Sequence, residues 1–316
     1  MLRRWNNKIK IFFILFIIII NTSCSDEGEE VDALLVFPAG IAVESDGDIL
    51  VVSAGFLGVL GVNPVTGDVT VISDSNTGNG QDFELPVGIS IEGDGDIVVV
   101  DSQLQAVISV DPVTGNRTII SNSTTGSGDN FQTPVAIAVD DFGNIIVVDA
   151  DLAALIEVNP DNGNRTIISN NSTGSGTNFS VPVGIAIRDD GTLLVAAQSL
   201  PAIFAVDPDT GDREILSESG IGSGPNFVTL TGLAIMNNGD IAAVDISSRA
   251  VFDVEILTGD RAILSGVNIG DGPQFQLPRG ISVEADGDIL VFDNGAAALF
   301  TVDPVNGNRT ILANIP

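Results

Sequence analysis

The chain has no histidine and no tyrosine, one tryptophan (Trp5) and one cysteine (Cys24) among its 316 residues. Without histidine, Ser-His-Asp triads, imidazole acid–base catalysis and histidine-ligated zinc or copper are excluded. Sugar-binding platforms use the amphipathic faces of Trp and Tyr; only Phe remains in quantity, which argues against a lectin. A single cysteine forbids an internal disulfide, so stability must come from packing. Positive charge is scarce too, with 12 Lys and Arg against 42 Asp and Glu and a formal charge of −30. Binding a nucleic acid backbone needs clustered cations, so nucleic acid is not an expected partner. The apolar run IFFILFIIII, residues 11–20, is ten residues long, half of the about 20 that span a bilayer. Helical periodicity is missing while runs of Val, Ile and Thr abound, which excludes a stack of helices.

What the chain does contain is repetition. The stretch from Pro86 to Thr133 returns with a period of 48 residues, headed by Pro38, Pro86, Pro134, Pro182 and Pro278, with Leu230 where a sixth proline is due. A fixed period of this length points to a propeller or a solenoid. Each copy holds an apolar run (Ile89 to Ile91), a turn at Gly95, a second run (Ile97 to Val100), a loop, a third run (Val107 to Val110), a turn at Gly115 and a fourth run (Arg117 to Ile120). Glycine after Asp or Asn marks a hairpin, because the tight turn needs a positive φ. The runs barely alternate between apolar and polar, as expected of sheets covered on both faces. The expected fold is therefore all-β: a six-bladed β-propeller of four-stranded antiparallel blades over residues 33–316, with Val31 to Phe37 sealing the ring against the last blade.

The first 23 residues carry Arg3, Arg4, Lys8 and Lys10, then the apolar run, then Asn21, Thr22 and Ser23 before Cys24. This order resembles a bacterial lipoprotein signal, although Asn21 stands where that pattern has Leu. The resemblance implies cleavage before Cys24, acylation of Cys24 and membrane attachment through several acyl chains. The SDEGEE that follows is similar to export signals of lipoproteins displayed on the outer membrane, with residues 24–32 as an acidic tether. The expected location is the bacterial cell envelope, at the outer membrane and exposed on the surface. All 42 acidic residues follow Cys24, so the surface is repelled by anionic headgroups and attachment falls to the acyl chains.

The signature P-x-G-[IL]-[AS]-[VI], the run ending V-x-D, and V-D-P-x-T-G-N-R-T-I together resemble the NHL-repeat propellers and the related gluconolactonase, strictosidine synthase and TolB-like six-bladed propellers. The resemblance covers Pro38 to Pro316 and implies the fold; function varies widely within it. Calcium lactonases of this group use a first-blade Glu, but blade one begins FPAGIAV and lacks it. Lyases on this fold depend on histidine, which is absent.

Three features recur from copy to copy. G-x-G-x-x-F, as at Gly78 to Phe83, has Phe in place of the third glycine of a dinucleotide fingerprint and no helix after it, so the expected role of Phe is to plug the gap between blades. Asp101, Asp149, Asp245 and Asp293 end the second run of four copies. They are expected to cap loops by accepting backbone N–H groups, with a Ca²⁺ site at the channel mouth as the alternative. Arg117, Arg165, Arg213, Arg261 and Arg309 begin the fourth runs and are expected to form a rim of surface ion pairs, each contributing about 0–1 kcal/mol.

Binding sites are sought where the copies disagree. The residue after the leading position is Ala39, Val87, Val135, Val183 and Thr231, but Arg279 in copy six; the residue before the third run is Arg249 in copy five alone. Antiparallel connectivity puts both on one end of the ring in neighbouring blades, close to Asp245 and Asp293. Two readings stay open: the arginines neutralise these carboxylates, or they form an anion-binding corner. For function, the preferred expectation is a monomeric, non-enzymatic binding or scaffold module for a protein or envelope ligand. The alternative is a calcium-dependent hydrolase or lactonase.

Overall fold

The computed structural model describes residues 38–314, which form twenty-four strands arranged as six four-stranded antiparallel sheets. Expectations for residues 1–37, including Cys24, the tether and the seal by Val31 to Phe37, lie outside the described residues. Blade two serves for all six. Its strands Pro86–Ile91, Ile97–Asp101, Ala106–Val110 and Arg117–Ser121 pair in chain order, first with second, second with third, third with fourth. The turn glycines Gly95 and Gly115 have φ of 96° and 69°, a region that costs a residue with a Cβ about 1–2 kcal/mol.

The second strand is buried along its whole length, which is why its sequence does not alternate. Each core cluster joins two neighbouring blades. Leu50, Val52 and Val59 of blade one, for example, meet Phe83, Ile97, Val99 and Ile108 of blade two. Blade six closes on blade one in the same way, Leu290, Phe292 and Leu299 packing on Ile41, Val51 and Leu60. The result is a closed six-bladed propeller. The first strands, from Pro38–Val43 to Pro278–Val283, surround a central channel.

The phenylalanines of the G-x-G-x-x-F loops do plug the blade junctions, as Phe179 shows by packing edge-on to Phe204 at 5.2 Å. The glycines of those loops cannot carry a side chain, since a Cβ on Gly174 would stand 1.8 Å from the Gly211 carbonyl oxygen of the next blade.

The arginine row corrects the sequence expectation. Arg117, Arg165, Arg213, Arg261 and Arg309 are only 2–7 % exposed and make no rim of ion pairs; among them only Arg117 meets a carboxylate, Asp82, at 3.0 Å. Each guanidinium instead staples two blades. In Arg213, Nη1 donates to Ser169 Oγ (2.6 Å) and to the carbonyls of Asn170 and Thr173, and Nε donates to the Thr177 carbonyl. Ser169 in turn donates to the Gly211 carbonyl at 2.6 Å. The guanidinium lies 5.5 Å from the centre of the Phe179 ring, which adds a cation–π attraction. Burial pushes the pKa of Arg213 down, partly offset by Asp212, yet an arginine remains charged. Neutral oxygens and a ring face suffice because the fork presents five donors in fixed geometry.

Candidate functional site: an arginine at the channel mouth

The two ends of the ring differ in what the chain puts there. One end, the entry end, collects the starts of the first strands and the loops between second and third strands. The other, the hairpin end, collects the first-to-second and third-to-fourth turns.

At the entry end every first strand carries a bulge. In blade six Pro278 pairs with Asp293 and Gly280 with Phe292, leaving Arg279 as the extra residue; the same shift occurs in blade two at Val87 and in blade five at Thr231. A bulge re-aims the side chain of the extra residue, and here it brings Val87, Val135, Val183, Thr231 and Arg279 to the channel lining. Among the described residues lining the channel Arg279 is the only ionisable one, the others being Gly, Ala, Val, Ile, Leu, Ser and Thr. Its guanidinium reaches water through the mouth, while the channel walls desolvate it and push its pKa below the ordinary arginine value. It makes no ion pair among the described residues. Below it the channel widens to a cavity of about 380 Å³ walled by Ile, Val and Ala with the hydroxyl-bearing Ser90 and Ser282.

Arg249 lies at the same end, exposed, in the loop before the third strand of blade five. Its φ is 52°, a left-handed conformation shared by Leu57, Gln105, Ala153 and Ala297 at the matching positions. In blade four that position is Pro201, whose ring forbids a positive φ, and the second strand there ends in Ala197. Gln198 N–H donates to the Val181 carbonyl, as its counterparts do in blades two, three, five and six, and in place of the aspartate cap Ser199 N–H donates to the Ser180 carbonyl and the Gln198 side chain to the Leu230 carbonyl. Asn294 Oδ1, in the corresponding loop of blade six, is buried with no hydrogen-bond partner among the described residues.

Asp101, Asp149, Asp245 and Asp293 are fully buried, and none lines the channel. Asp245 accepts the backbone N–H groups of Val228, Thr229 and Ser248; Asp293 those of Gln276, Leu277 and Ala296; Asp101 and Asp149 those of the matching residues. These bonds tie each entry loop to the lead-in of its own first strand. Neither Arg249 nor Arg279 neutralises Asp245 or Asp293 among the described residues; the backbone does. The structure therefore brings Arg249 and Arg279 to one end in adjacent blades and assigns the four aspartates to loop capping.

At the hairpin end, Glu44, Asp46 and Asp48, and separately Glu92, Asp94 and Asp96, hold carboxylate oxygens within 4.8 Å of one another. Neither cluster is among the expected sites, Asp94 and Asp96 being expected only as acidic hairpins near the arginine row, although E-x-D-G-D is legible in both. Desolvation, with repulsion from the two neighbouring aspartates, raises the pKa of Glu44 and of Glu92.

No protein-family pattern and no curated protein sequence matches the chain. Solved structures do match in shape. A gluconolactonase from Xanthomonas campestris is 15 % identical with a TM-score of 0.64, over 87 % of this chain and 86 % of that one. Virginiamycin B lyase from Staphylococcus aureus is 15 % identical with a TM-score of 0.60, over 88 % and 84 %. A Bacteroides thetaiotaomicron protein of unknown function is 16 % identical with a TM-score of 0.67, over 87 % and 71 %. A further structure of the lyase is a catalytically inactive variant with one histidine changed to alanine; the present chain has none to change. At this level of identity the likeness establishes the fold, a six-bladed propeller whose neighbours include lactonase and lyase enzymes.

Proposed function

We propose that the chain is a binding module held at a bacterial cell envelope through acylated Cys24, and that it takes up an anionic group at the entry end of its channel. The observation that carries this reading is Arg279: a guanidinium aimed by a bulge into the mouth of a channel with no other charged residue among its described lining, partly desolvated by the channel walls yet open to water, and without a carboxylate partner among the described residues. A guanidinium fork fits carboxylate or phosphate oxygens, and at the mouth Arg279 is open to a ligand arriving from solvent. Arg249 adds a second cation at the same end. The missing histidine counts against lyase chemistry.

The experiment compares wild type with an Arg249→Ala, Arg279→Ala double variant, each cross-linked in intact cells and purified from the envelope fraction. The expected outcome is an unchanged Tm with loss of the captured component. A variant that melts well below wild type and still captures it would make both arginines structural. A second reading, a calcium-dependent hydrolase, is favoured by the gluconolactonase likeness. The carboxylates first considered for it are occupied by loop amides. A rise in Tm on adding Ca²⁺ that vanishes in Asp245→Asn or Asp293→Asn would revive it.

A further inference from the structure

The entry end differs from the hairpin end in charge. In blades four to six its loops and strand lead-ins expose Leu200 (67 %), Val228 (56 %) and Leu277 (47 %) at the same end as Arg249 and Arg279. The same loops and lead-ins contain no carboxylate except Asp245 and Asp293, which are buried and capped. The hairpin end also exposes large apolar side chains, Val65, Val113, Phe142, Leu257 and Val305 at 88–91 %, but sets them among carboxylates, with Glu44, Asp46, Asp48, Glu92, Asp94 and Asp96 crowded in two neighbouring blades. A chain of formal charge −30 thus keeps these loops and the residues next to the first strands free of exposed negative charge, Glu218 and Asp271 standing earlier in the same connections, and the sector combines apolar side chains with guanidiniums. This is the composition of a surface that rests on lipid, where Leu and Val enter the boundary between headgroups and acyl chains while cations meet phosphates. Chain direction agrees: the first strand starts at Pro38 on this same end, the end that bears the sector.

We infer that this sector of blades four to six docks on the membrane surface. Arg249 and Arg279 lie against lipid phosphates, Leu200, Val228 and Leu277 are set into the headgroup boundary, and the acidic hairpins point to water. The inference rests on the anion-capture reading above and identifies the anion as the phosphate of an anionic phospholipid. It also reconciles the net charge with membrane contact, because the repelled surface faces away.

Acylation consumes the thiol of Cys24, so a cysteine introduced elsewhere is the one free thiol of the chain. Leu200→Cys and Leu277→Cys place a fluorophore at the entry end; Val113→Cys and Leu257→Cys place it at the hairpin end, on side chains 91 % and 88 % exposed. The acylated chains are reconstituted in vesicles of phosphatidylethanolamine and phosphatidylglycerol and quenched either by a lipid-borne nitroxide or by aqueous iodide. The expected result is several-fold stronger nitroxide quenching at the entry end, with iodide showing the reverse. Replacing phosphatidylglycerol by phosphatidylcholine, or introducing Arg249→Ala with Arg279→Ala, should shrink that difference while the acyl chains keep the protein on the vesicles. Equal quenching at both ends would overturn the inference, leaving a propeller that hangs free on its tether. So would entry-end labels shielded from both quenchers in native envelopes yet open to iodide on pure lipid, which would assign the sector to a protein partner. If mass spectrometry finds Cys24 unmodified, the anchor reading fails on its own. The same labels in a Cys24→Ser background then decide the sector, with equal quenching at the two ends again overturning it.

Discussion

A single side chain can hold two blades together when its partners come from both. Arg213 reaches Ser169, 44 residues upstream, and two carbonyls of the preceding blade while stacking on Phe179. Replacing it by alanine removes a buried charge together with its hydrogen bonds and takes the guanidinium donor from the Asn170 and Thr177 carbonyls, while Thr173 keeps the Asn170 N–H. A loss of about 2–4 kcal/mol is expected, read as a drop in the midpoint of urea unfolding. Arg213→Lys should recover little of it, because an ammonium cannot reach Ser169 Oγ and the Thr177 carbonyl together as the fork does. Recovery to near wild-type stability by lysine would mean that charge, not geometry, holds the junction. The row of arginines was plain in the sequence, but its burial was not. A surface ion pair and a buried staple use the same residue at the same period, and the partners that distinguish them belong to another blade.

Among elements, the hairpins linking first and second strands carry the pH response. Glu44, Glu92 and Glu284 have pKa values raised above the usual 4.5, mainly by desolvation and then by the aspartates of their own turns. Asp96 and Asp288 are raised above 3.8 by desolvation first and then by one aspartate of their own turn and one of the neighbouring third-to-fourth turn, Asp111 or Asp303. A raised folded-state pKa means that the folded protein holds the proton more tightly than the unfolded chain, so these groups cost stability at neutral pH and cease to as pH falls through their folded values. Asp111, Asp190 and Asp212 are shifted the other way, chiefly by backbone N–H donors. Their contribution holds above the usual 3.8 and is lost as pH falls through their lowered values. The Tm should therefore rise as pH is lowered from 7 into the weakly acidic range and fall again at more acidic pH. The triple change Glu44→Gln, Glu92→Gln, Glu284→Gln should flatten the rise. A Tm that declines steadily from pH 7 would contradict this account.

For the whole molecule the junctions are not equivalent. Five carry the arginine–serine staple, but between blades six and one the arginine position is Val69 and the serine position is Ala313. That contact is apolar, with Ala313 packed among Ile41, Leu60, Phe292 and Leu299 and with Val69 and Leu312 at its edge. It also joins the strands most distant in sequence, so closing it costs the most chain entropy. We expect native-state hydrogen exchange to show the amides of Ile49–Ser53 and Ile289–Asp293 exchanging through a lower-energy opening than those of Ile145–Asp149 or Leu193–Ala197. Uniform protection across all six second strands would mean that the ring opens only by global unfolding.

The 48-residue period, the glycine turns and the runs of Val and Ile determined the blades by themselves, because hairpin geometry and strand burial are local consequences of residue type. The loop-capping role of the aspartates was legible for the same reason: Asp101 accepts the amides of Gln103 and Leu104, two and three residues on. The odd positions Arg249 and Arg279 were visible too, since they break the repeat. What only the tertiary structure decided is what each of these residues faces. The bulge that turns Arg279 to the channel, the amides that take Asp245 and Asp293 away from both arginines, and the carbonyls that bury Arg213 are all set by backbone brought together by the ring. Sequence spacing fixes which strand a side chain stands on; only the assembled ring decides which donors, acceptors and ring faces fill its surroundings.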